Sequence, residues 1–534
     1  MLKRSRLSSL FLPVNGLTVS DERAMRGLVG KRGDIIALLA GAILPLAFAP
    51  FHYGVLAVVS LALLFACWIE VSARRIFWRG ALFGIGMFGV GVSWVHVSIY
   101  EYGGVSLGLS LFLTALFVVV LALFPAIMAW LGAKYRERSA PWSPAVTLLL
   151  LFPSLWTLSE WVRGWFLTGF PWLSVGYSQL ESPLAGFAPL AGVYGVSWFT
   201  AFSAGAIVLL ASVIRHNRGQ ALSLAVGMSG LWVAGFLFKQ IEWSRPAGPP
   251  INVALIQGNI SQELKWLQDV RDPTIRLYKG LTEQNWESDL IIWPETALPG
   301  FYHREQELLA ALGEEARAHK ADILLGVLSL DETTGHYYNS VVSVGEQETF
   351  YHKHHLVPFT EYLPLKGLLG GLVDFMQVPM SDFTAGDPYQ PLIQAAGYKI
   401  GVSICFEDAF GEEAIRSLPE AALLVNVSND AWFAGSLAPQ QHLQLAQMRA
   451  VETARPLLRA TNTGMTAIVD HKGKIQAAAP PYEIAVLKGK VQPMAGTTPY
   501  VRLGNWPVII LSTLALLIPA WGGGHRRRST TQLL

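Results

Sequence analysis

The hydrophobic and polar positions of the chain divide it into two unlike parts. Seven apolar stretches follow one another at 34–50, 53–71, 77–99, 105–131, 145–166, 190–214 and 221–240, and an eighth lies at 505–521. Each approaches or exceeds the roughly 20 residues that a helix needs to cross a bilayer, so the pattern predicts about eight transmembrane helices. The first two are the shortest and the most closely spaced. From Ile251 the rhythm changes. "INVALIQGNI", "DLIIWPET", "ADILLGVLSL", "YKIGVSIC" and "AALLVNVS" read as strands, and "YNSVVSVG" with "TFYHKHHLVP" as a hairpin-like pair. "DPTIRLYKGLTEQNW", "REQELLAALGEEARAHK" and "PQQHLQLAQMRAVETAR" have helical spacing. Apolar strands alternating with helices predict an α/β layered domain.

Composition supports a membrane protein. Hydrophobic residues make up 52% of the 534 and charged residues only 15%, against about 25% charged in ordinary soluble domains. The net charge of +2 says little; its distribution says more. Lys31 and Arg32 precede the first stretch, Arg74, Arg75 and Arg79 separate the second and third, and Lys134, Arg136 and Arg138 the fourth and fifth. Arg215 and Arg218 lie between the sixth and seventh, and Arg526, Arg527 and Arg528 follow the eighth. The intervening loops "PFHY", "YEYGG" and "TGFPWLSVGYSQLESP" have no Lys or Arg. By the positive-inside rule both termini are expected in the cytoplasm and residues 242–504 outside it. The expected units are a leader at 1–33, a seven-helix membrane domain at 34–241, an extracytoplasmic domain at 242–504, an eighth span at 505–521 and a basic tail at 522–534. Pro50, directly after the A-x-A-like end of "ILPLAFAPF", argues against reading the first span as a cleaved signal peptide. Trp78, Tyr100, Trp172 and Tyr177, near span ends, are expected to be interface anchors.

Chemistry enters with the cysteines, of which there are two, Cys67 and Cys405. An extracytoplasmic domain holding only Cys405 has no internal disulfide partner, so that thiol is either a small buried hydrophobe or a reactive group. Three polar residues end three predicted strands: Glu295 in "IIWPET", Lys353 in "FYHKHHLVP" and Cys405 in "GVSIC". A thiol with an ordinary pKa is mostly protonated at neutral pH, so a carboxylate base beside it would generate the nucleophile. A fixed ammonium would stabilise the oxyanion formed on attack at a carbonyl. Singly, each residue has a plainer explanation: a solvated Glu, a surface Lys, a packed Cys. His352, His354 and His355 belong to no recognisable metal-ligand set. There is no phosphate-binding glycine loop and no basic–aromatic nucleic-acid surface.

"IIWPET", "YHKHHLVPFTEYLP" and "SICFEDAF", in that order, resemble the Glu, Lys and Cys motifs of the nitrilase (carbon–nitrogen hydrolase) superfamily, and "NVSNDAWF" with "HLQLAQMRAVETARPLLRATNTG" its later strand and helix. Such a domain between seven upstream spans and one downstream span resembles the apolipoprotein N-acyltransferase family. The resemblance implies an αββα sandwich whose general base is Glu295, whose oxyanion cation is Lys353 and whose nucleophile is Cys405. It implies supporting roles for Glu361, Phe406 and Glu407, and a place for Trp266 near the substrate entrance. Phe406 stands where the family often has tyrosine, and "CFEDAF" lacks the arginine that soluble nitrilases often carry after the nucleophile. The implied reaction is ping-pong. An acyl group passes from a phospholipid, phosphatidylethanolamine in the family, to Cys405. It then passes to the N-terminal amine of a diacylglyceryl-cysteine lipoprotein at the bacterial inner membrane, with the catalytic domain periplasmic. The resemblance implies no metal, no soluble cofactor and no nucleic-acid partner. A membrane-tethered amidase and a transporter with an inactive domain are the alternatives. Two segments are expected to be mobile: an apolar lid at 363–383, hinged at Gly370–Gly371, and the loop "WFAGSLAPQQ" at 432–441.

Overall fold

The computed structural model describes residues 30–138, 142–362, 382–433 and 435–523. Nearly all of the leader, the tail from residue 524, and the expected lid up to residue 381 with its glycine hinge lie outside the described residues.

Every predicted apolar stretch forms helix, but not every helix is long enough to cross a bilayer. The first eight are α1 (Lys31–Ile43), α2 (Val55–Trp68), α3 (Ala73–Gly91), α4 (Val95–Tyr102), α5 (Leu107–Arg138), α6 (Pro144–Arg163), α7 (Pro183–Val213) and α8 (Arg218–Phe238). Helices α5 to α8 have the length and apolarity of a span, and α3 with α4, bent by 54°, makes a fifth if counted as one. Helix α1 has 13 residues and α2 has 14, short of the roughly 20 required. The first stretch is cut because Pro45 follows α1 in a single 3₁₀ turn, where a missing N–H and a fixed φ stop α-helical bonding. Helices α1, α3 and α5 touch through small residues. A Cβ added at Gly86 would run into the Leu38 carbonyl oxygen, and one at Gly84 would lie 2.6 Å from the Ala122 Cα, so glycine is what lets these backbones approach.

Among the described residues the second part has fourteen strands: β1 (Ser244–Pro246), β2 (Ile251–Gln257), β3 (Leu290–Ile292), β4 (Asp322–Leu330), β5 (Tyr337–Val344), β6 (Phe350–His352), β7 (Ile393–Ala395), β8 (Tyr398–Ile404), β9 (Leu423–Ser428), β10 (Leu457–Thr461), β11 (Ala467–Val469), β12 (Ile475–Ala478), β13 (Ala485–Val491) and β14 (Met494–Gly496). One six-stranded sheet has the order β13–β2–β3–β4–β5–β6 and the other β12–β11–β10–β9–β8–β7, while β1 and β14 form a short ribbon. Strands β2–β3–β4 and β8–β9–β10 are parallel, with antiparallel neighbours outside them. Side chains alternate between faces along each strand. Thus Val253, Leu255 and Ile292 meet Ile404, Val425 and Leu458 between the sheets. Ala254, Ile256 and Ile323 instead face two helices. Tyr278 of α9 (Gln268–Glu283) and Leu309, Leu312 and Ala316 of α10 (Gln306–His319) cover them. On the far side of the second sheet, Leu424 and Leu457 meet Leu443, Ala446 and Ala450 of α11 (Ala438–Thr453). The result is an αββα sandwich. The chain then returns to apolar helix in α12 (Trp506–Gly523).

Helix α11 is buried on almost every face, because its other side packs on the helical first part through Leu445, Met448 and Val451. That position explains why its sequence carries so many polar residues: they bond across the junction. The Gln444 side-chain oxygen accepts from Ala49 N at 3.1 Å, and Glu452 Oε1 accepts from Val193 N at 2.6 Å. Two expectations are corrected here. Trp78 and Tyr100 are exposed, but Trp172 and Tyr177 are not interface anchors; they are buried junction residues, 4% and 1% exposed. Arg163 donates to the Phe170 and Trp172 carbonyls at 2.6 and 2.5 Å and folds their loop inward, where Tyr177 Oη donates to Ala409 O. The segment 432–441 is docked in its described part. Trp432 meets Tyr102 edge to face, Phe433 meets Trp94 likewise, and helix α11 begins at Ala438.

Candidate active site

The three residues that sequence places at strand ends do follow three strand ends, and the sandwich brings them together. Glu295 lies just past β3, Lys353 directly follows β6, and Cys405 directly follows β8. Lys353 Nζ lies 3.7 Å from Glu295 Oε1 and donates to Glu361 Oε1 at 2.8 Å. Asn339 on β5 joins the two acids, donating to Glu295 Oε1 at 2.7 Å and to Glu361 Oε1 at 3.4 Å. The second Glu361 oxygen accepts from Val357 N at 2.8 Å. Glu361 therefore ties the lysine to its own loop and leaves Glu295 available to another proton.

Burial would pull the Lys353 ammonium down, but Glu361, Glu295 and Cys405 outweigh it and hold the group above the usual lysine value. The Cys405 thiol is pushed up by burial and by the Glu295 charge, with Lys353 and a Ser428 hydrogen bond opposing. At rest the site holds a protonated thiol beside an ammonium. A nucleophile in that state needs a base at the moment of attack rather than a standing thiolate.

Backbone strain sits at Cys405 and beside Glu295. Cys405 has φ 54° and Thr296 has φ 45°, a left-handed region that non-glycine residues rarely enter. Room for the Glu295 turn comes from Gly326, where a Cβ would collide with the Thr296 backbone nitrogen. Lys265 pins the same turn. It is 2% exposed and donates to the Glu295 carbonyl at 3.1 Å and to the Thr296 hydroxyl. Burial lowers Lys265 to about 8, against the pull of Glu295. Trp266 is its neighbour, 38% exposed, with the Lys265 Nζ 5.9 Å from its ring centroid.

Glu407 is not a surface charge. It is buried and accepts hydrogen bonds on both oxygens. His354 N and His355 N reach Oε1 at 2.7 and 3.0 Å, while Ile404 N and Tyr351 Oη reach Oε2 at 2.7 and 3.0 Å. One carboxylate thus joins the Lys353 loop to the Cys405 turn. Burial and Glu413 push it up to about 7, against the hydrogen bonds of His355 and Ile404. Phe406 stacks on Trp172, with centroids 6.0 Å apart and planes 14° apart. The three histidines have separate partners: His352 Nδ1 meets Ser340 Oγ, His354 Nδ1 the Gly386 carbonyl, and His355 Nδ1 Glu413.

Beneath Cys405 lies a polar cluster to which the sequence assigns no roles. Asp408, Asp430, His442, Arg459 and Asn426 are all buried. Arg459 Nη1 donates to Asp408 at 2.8 Å and to Asn426 Oδ1 at 2.5 Å, and its Nη2 lies 3.2 Å from Asp430. Asp408 thus receives a cation from β10, 51 residues beyond it in the chain. The signal is present in "HLQLAQMRAVETARPLLRATNTG", which contains both His442 and Arg459, but nothing local says that they face one another.

Comparisons with known proteins agree with this division. Residues 40–206 match the family model described as apolipoprotein N-acyltransferase N-terminal domain, and residues 252–500 match carbon-nitrogen hydrolase. A protein of Methylococcus capsulatus, named apolipoprotein N-acyltransferase, is 49% identical over 476 residues, 89% of this chain and 93% of that one. One of Azotobacter vinelandii with the same name is 44% identical, over 93% of this chain and 96% of that one. Among solved structures, the C. elegans NitFhit protein covers 53% of this chain and 67% of its own, at 18% identity and a TM-score of 0.37.

Proposed function

The chain belongs to the apolipoprotein N-acyltransferase family, an acyltransferase that modifies lipoproteins in a membrane setting, and we propose that Cys405 carries the acyl group as a thioester. Glu295 takes the thiol proton as sulfur attacks the donor ester carbonyl. Lys353 stabilises the oxyanion, and Glu295 returns the proton to the departing alkoxide. The free alcohol product is a lysophospholipid when the donor is a phospholipid such as phosphatidylethanolamine. In the second half, the lipoprotein's N-terminal amine attacks the thioester and an amide forms. The amine's proton passes to Glu295 and then to the released thiolate. Net, an ester and an amine become an amide and an alcohol, with no other reactant.

The observation that carries this reading is the convergence of Glu295, Lys353 and Cys405 from three strand ends, with Lys353 held by Glu361 and the thiol protonated at rest. The apolar helices support a lipid donor. Moving an acyl chain out of lipid costs about 0.8 kcal/mol per CH₂, so a cysteine that accepts such a chain belongs at the bilayer surface. Phe406, next to that cysteine, is stacked on Trp172 of the helical part. The basic residues in the first turns of α1 and α3, at the end of α5 and around the turn between α7 and α8 support a cytoplasmic side opposite the sandwich, hence a periplasmic catalytic domain at the bacterial inner membrane. We also place Trp266 at the entrance, since it is part-exposed beside the buried Lys265.

Incubation with phosphatidylethanolamine labelled in one acyl chain tests the proposal. A label retained through denaturation and released by hydroxylamine is expected. Release as free fatty acid would make the protein an amidase- or lipase-like hydrolase, and no transfer would remove the catalytic reading.

A further inference from the structure

Cys405 owes its geometry to a peptide held from below. The Cys405 carbonyl oxygen accepts from Asn426 Nδ2 at 3.1 Å and from His442 Nε2 at 3.2 Å. A trans peptide is planar and its C=O and N–H point in opposite directions. Fixing that carbonyl downward into the buried cluster aims the Phe406 N–H upward, away from it. Phe406 lies in the first turn of the 3₁₀ helix Cys405–Ala409, where an N–H has no intrahelical acceptor, and its N–H has no partner among the described residues. It is a free backbone donor one residue from the thiol, on the peptide whose preceding φ is 54°.

The ring that holds this peptide cannot turn. His442 is 4% exposed. Its Nε2 shares its hydrogen between the Cys405 carbonyl and Asp408 Oδ1, the latter at 2.8 Å. Its Nδ1 is 2.8 Å from Arg459 Nη2 and 3.2 Å from Asp430 Oδ1. Trp172 covers the ring with centroids 5.4 Å apart, and Gln441, the preceding residue, accepts from the Trp172 indole at 2.8 Å. Both ring nitrogens have assigned neighbours, and one of these is the nucleophile's own backbone.

We infer that His442 is a positioning residue for the oxyanion hole: with Asn426 it clamps the Cys405 carbonyl so that the Phe406 N–H joins Lys353 in binding the oxyanion. The inference rests on the proposed thioester role of Cys405. An oxyanion donor aimed by a rigid network costs no reorganisation when charge develops, and loss of one such donor typically slows reaction about 10²- to 10³-fold. The effect belongs in the rate of acylation rather than in donor binding, because the hole is filled only as the tetrahedral species forms.

The test compares His442→Gln, His442→Asn and His442→Leu in full-length protein in detergent, with p-nitrophenyl butyrate as a small soluble donor. A glutamine amide nitrogen falls near Nε2 and an asparagine nitrogen near Nδ1. The burst of p-nitrophenolate is expected within about fivefold of wild type for the Gln variant, and slowed about 10²-fold or more for Asn and Leu, with donor KM little changed. Melting temperatures are measured alongside. A Leu variant within about threefold of wild type overturns the inference, as does a Gln variant that loses as much as Leu. A Cys405→Ser control separates the two readings. If it bursts normally, the thioester role fails and the inference with it; if it is silent while Leu is normal, only the inference fails.

Discussion

Lys353 is bonded to Glu361, at 2.8 Å, and stands off from Glu295 at 3.7 Å. The nearer acid holds the ammonium by a direct hydrogen bond and fixes its place, so the farther one pairs with it only at longer range. Removing one partner of a buried pair costs about 3–5 kcal/mol, because the survivor is left charged and unpaired. Glu361→Ala is therefore expected to lower unfolding free energy by about that much and to draw Lys353 toward Glu295, slowing acylation. Chemical denaturation and burst kinetics check both effects. An Ala variant of unchanged stability would show that the ammonium is satisfied by something other than Glu361.

Glu295→Gln is expected to block formation of the thioester itself, and not merely its transfer. The Cys405 thiol is protonated at rest, and the amide keeps the bond to Asn339 without being a base. Trapping labelled acyl-enzyme, with the lipoprotein acceptor left out, gives the measurement. Cys405→Ser should trap nothing, while Cys67→Ser, in α2, should behave as wild type. Normal accumulation of acyl-enzyme in the Gln variant would reassign the base.

Much of this site is legible in the sequence because its parts end strands. A run such as "DLIIWPET" declares a buried strand by its apolar residues, and the first polar side chain past its end must emerge at the rim of the sheet. Glu295, Lys353 and Cys405 are legible in that way, and the family motifs add Glu361 and Glu407. Lys265, Asn339, His442 and Arg459 are not, since each acts through partners at least 12 residues away and no local pattern encodes which. Helix α11 illustrates the limit from the other side. A helix buried on both faces has no amphipathic stripe to read, so the junction it makes with the membrane part is invisible without the fold. The first predicted span is short because Pro45 interrupts an apolar run that hydropathy counts as continuous.

Glu407 accepts three backbone N–H groups and one phenol. Leaving a buried donor unsatisfied costs about 1–3 kcal/mol, so stability should fall in the order wild type, Glu407→Gln, Glu407→Ala. Gln keeps one accepting oxygen and hence only the bonds on that side. The same order is expected for acylation rate, since the carboxylate ties the lysine loop to the nucleophile turn. An Ala variant that melts and acylates like wild type would remove this role.

Lys265 gives the pH dependence. Burial lowers its folded-state value to about 8, below the value of about 10.4 in an unfolded chain. Between these values the unfolded state binds more protons, so this group's contribution makes stability rise with pH from about 8 to about 10.4. Activity should move the opposite way. Above about pH 8 the neutral amine no longer offers Glu295 a cation, and acylation of a soluble ester should decline. Lys265→Arg should move that alkaline limb upward, and Lys265→Met should lack it and be slower throughout. A limb unchanged in Lys265→Arg would assign it to another group.

The junction makes the last prediction. Gln441 Oε1 accepts from the indole nitrogens of Trp94 and Trp172, at 3.1 and 2.8 Å, and its Nε2 donates to the Gly91 carbonyl at 3.2 Å. One side chain of helix α11 thus binds the bend between α3 and α4 and the loop that stacks Trp172 on Phe406. On the proposed reading a phospholipid chain is delivered along the membrane part, whereas a small soluble ester needs no such guidance. Gln441→Leu strips these bonds while leaving the catalytic residues untouched. Acylation by dispersed phosphatidylethanolamine should fall about tenfold or more, the equivalent of about 1.4 kcal/mol, with the soluble ester affected much less. The quantity to measure is the ratio of the two rates, variant against wild type. An equal loss on both donors would make Gln441 a packing residue of the sandwich, and an unchanged ratio with unchanged rates would show that the two indoles hold their places without it.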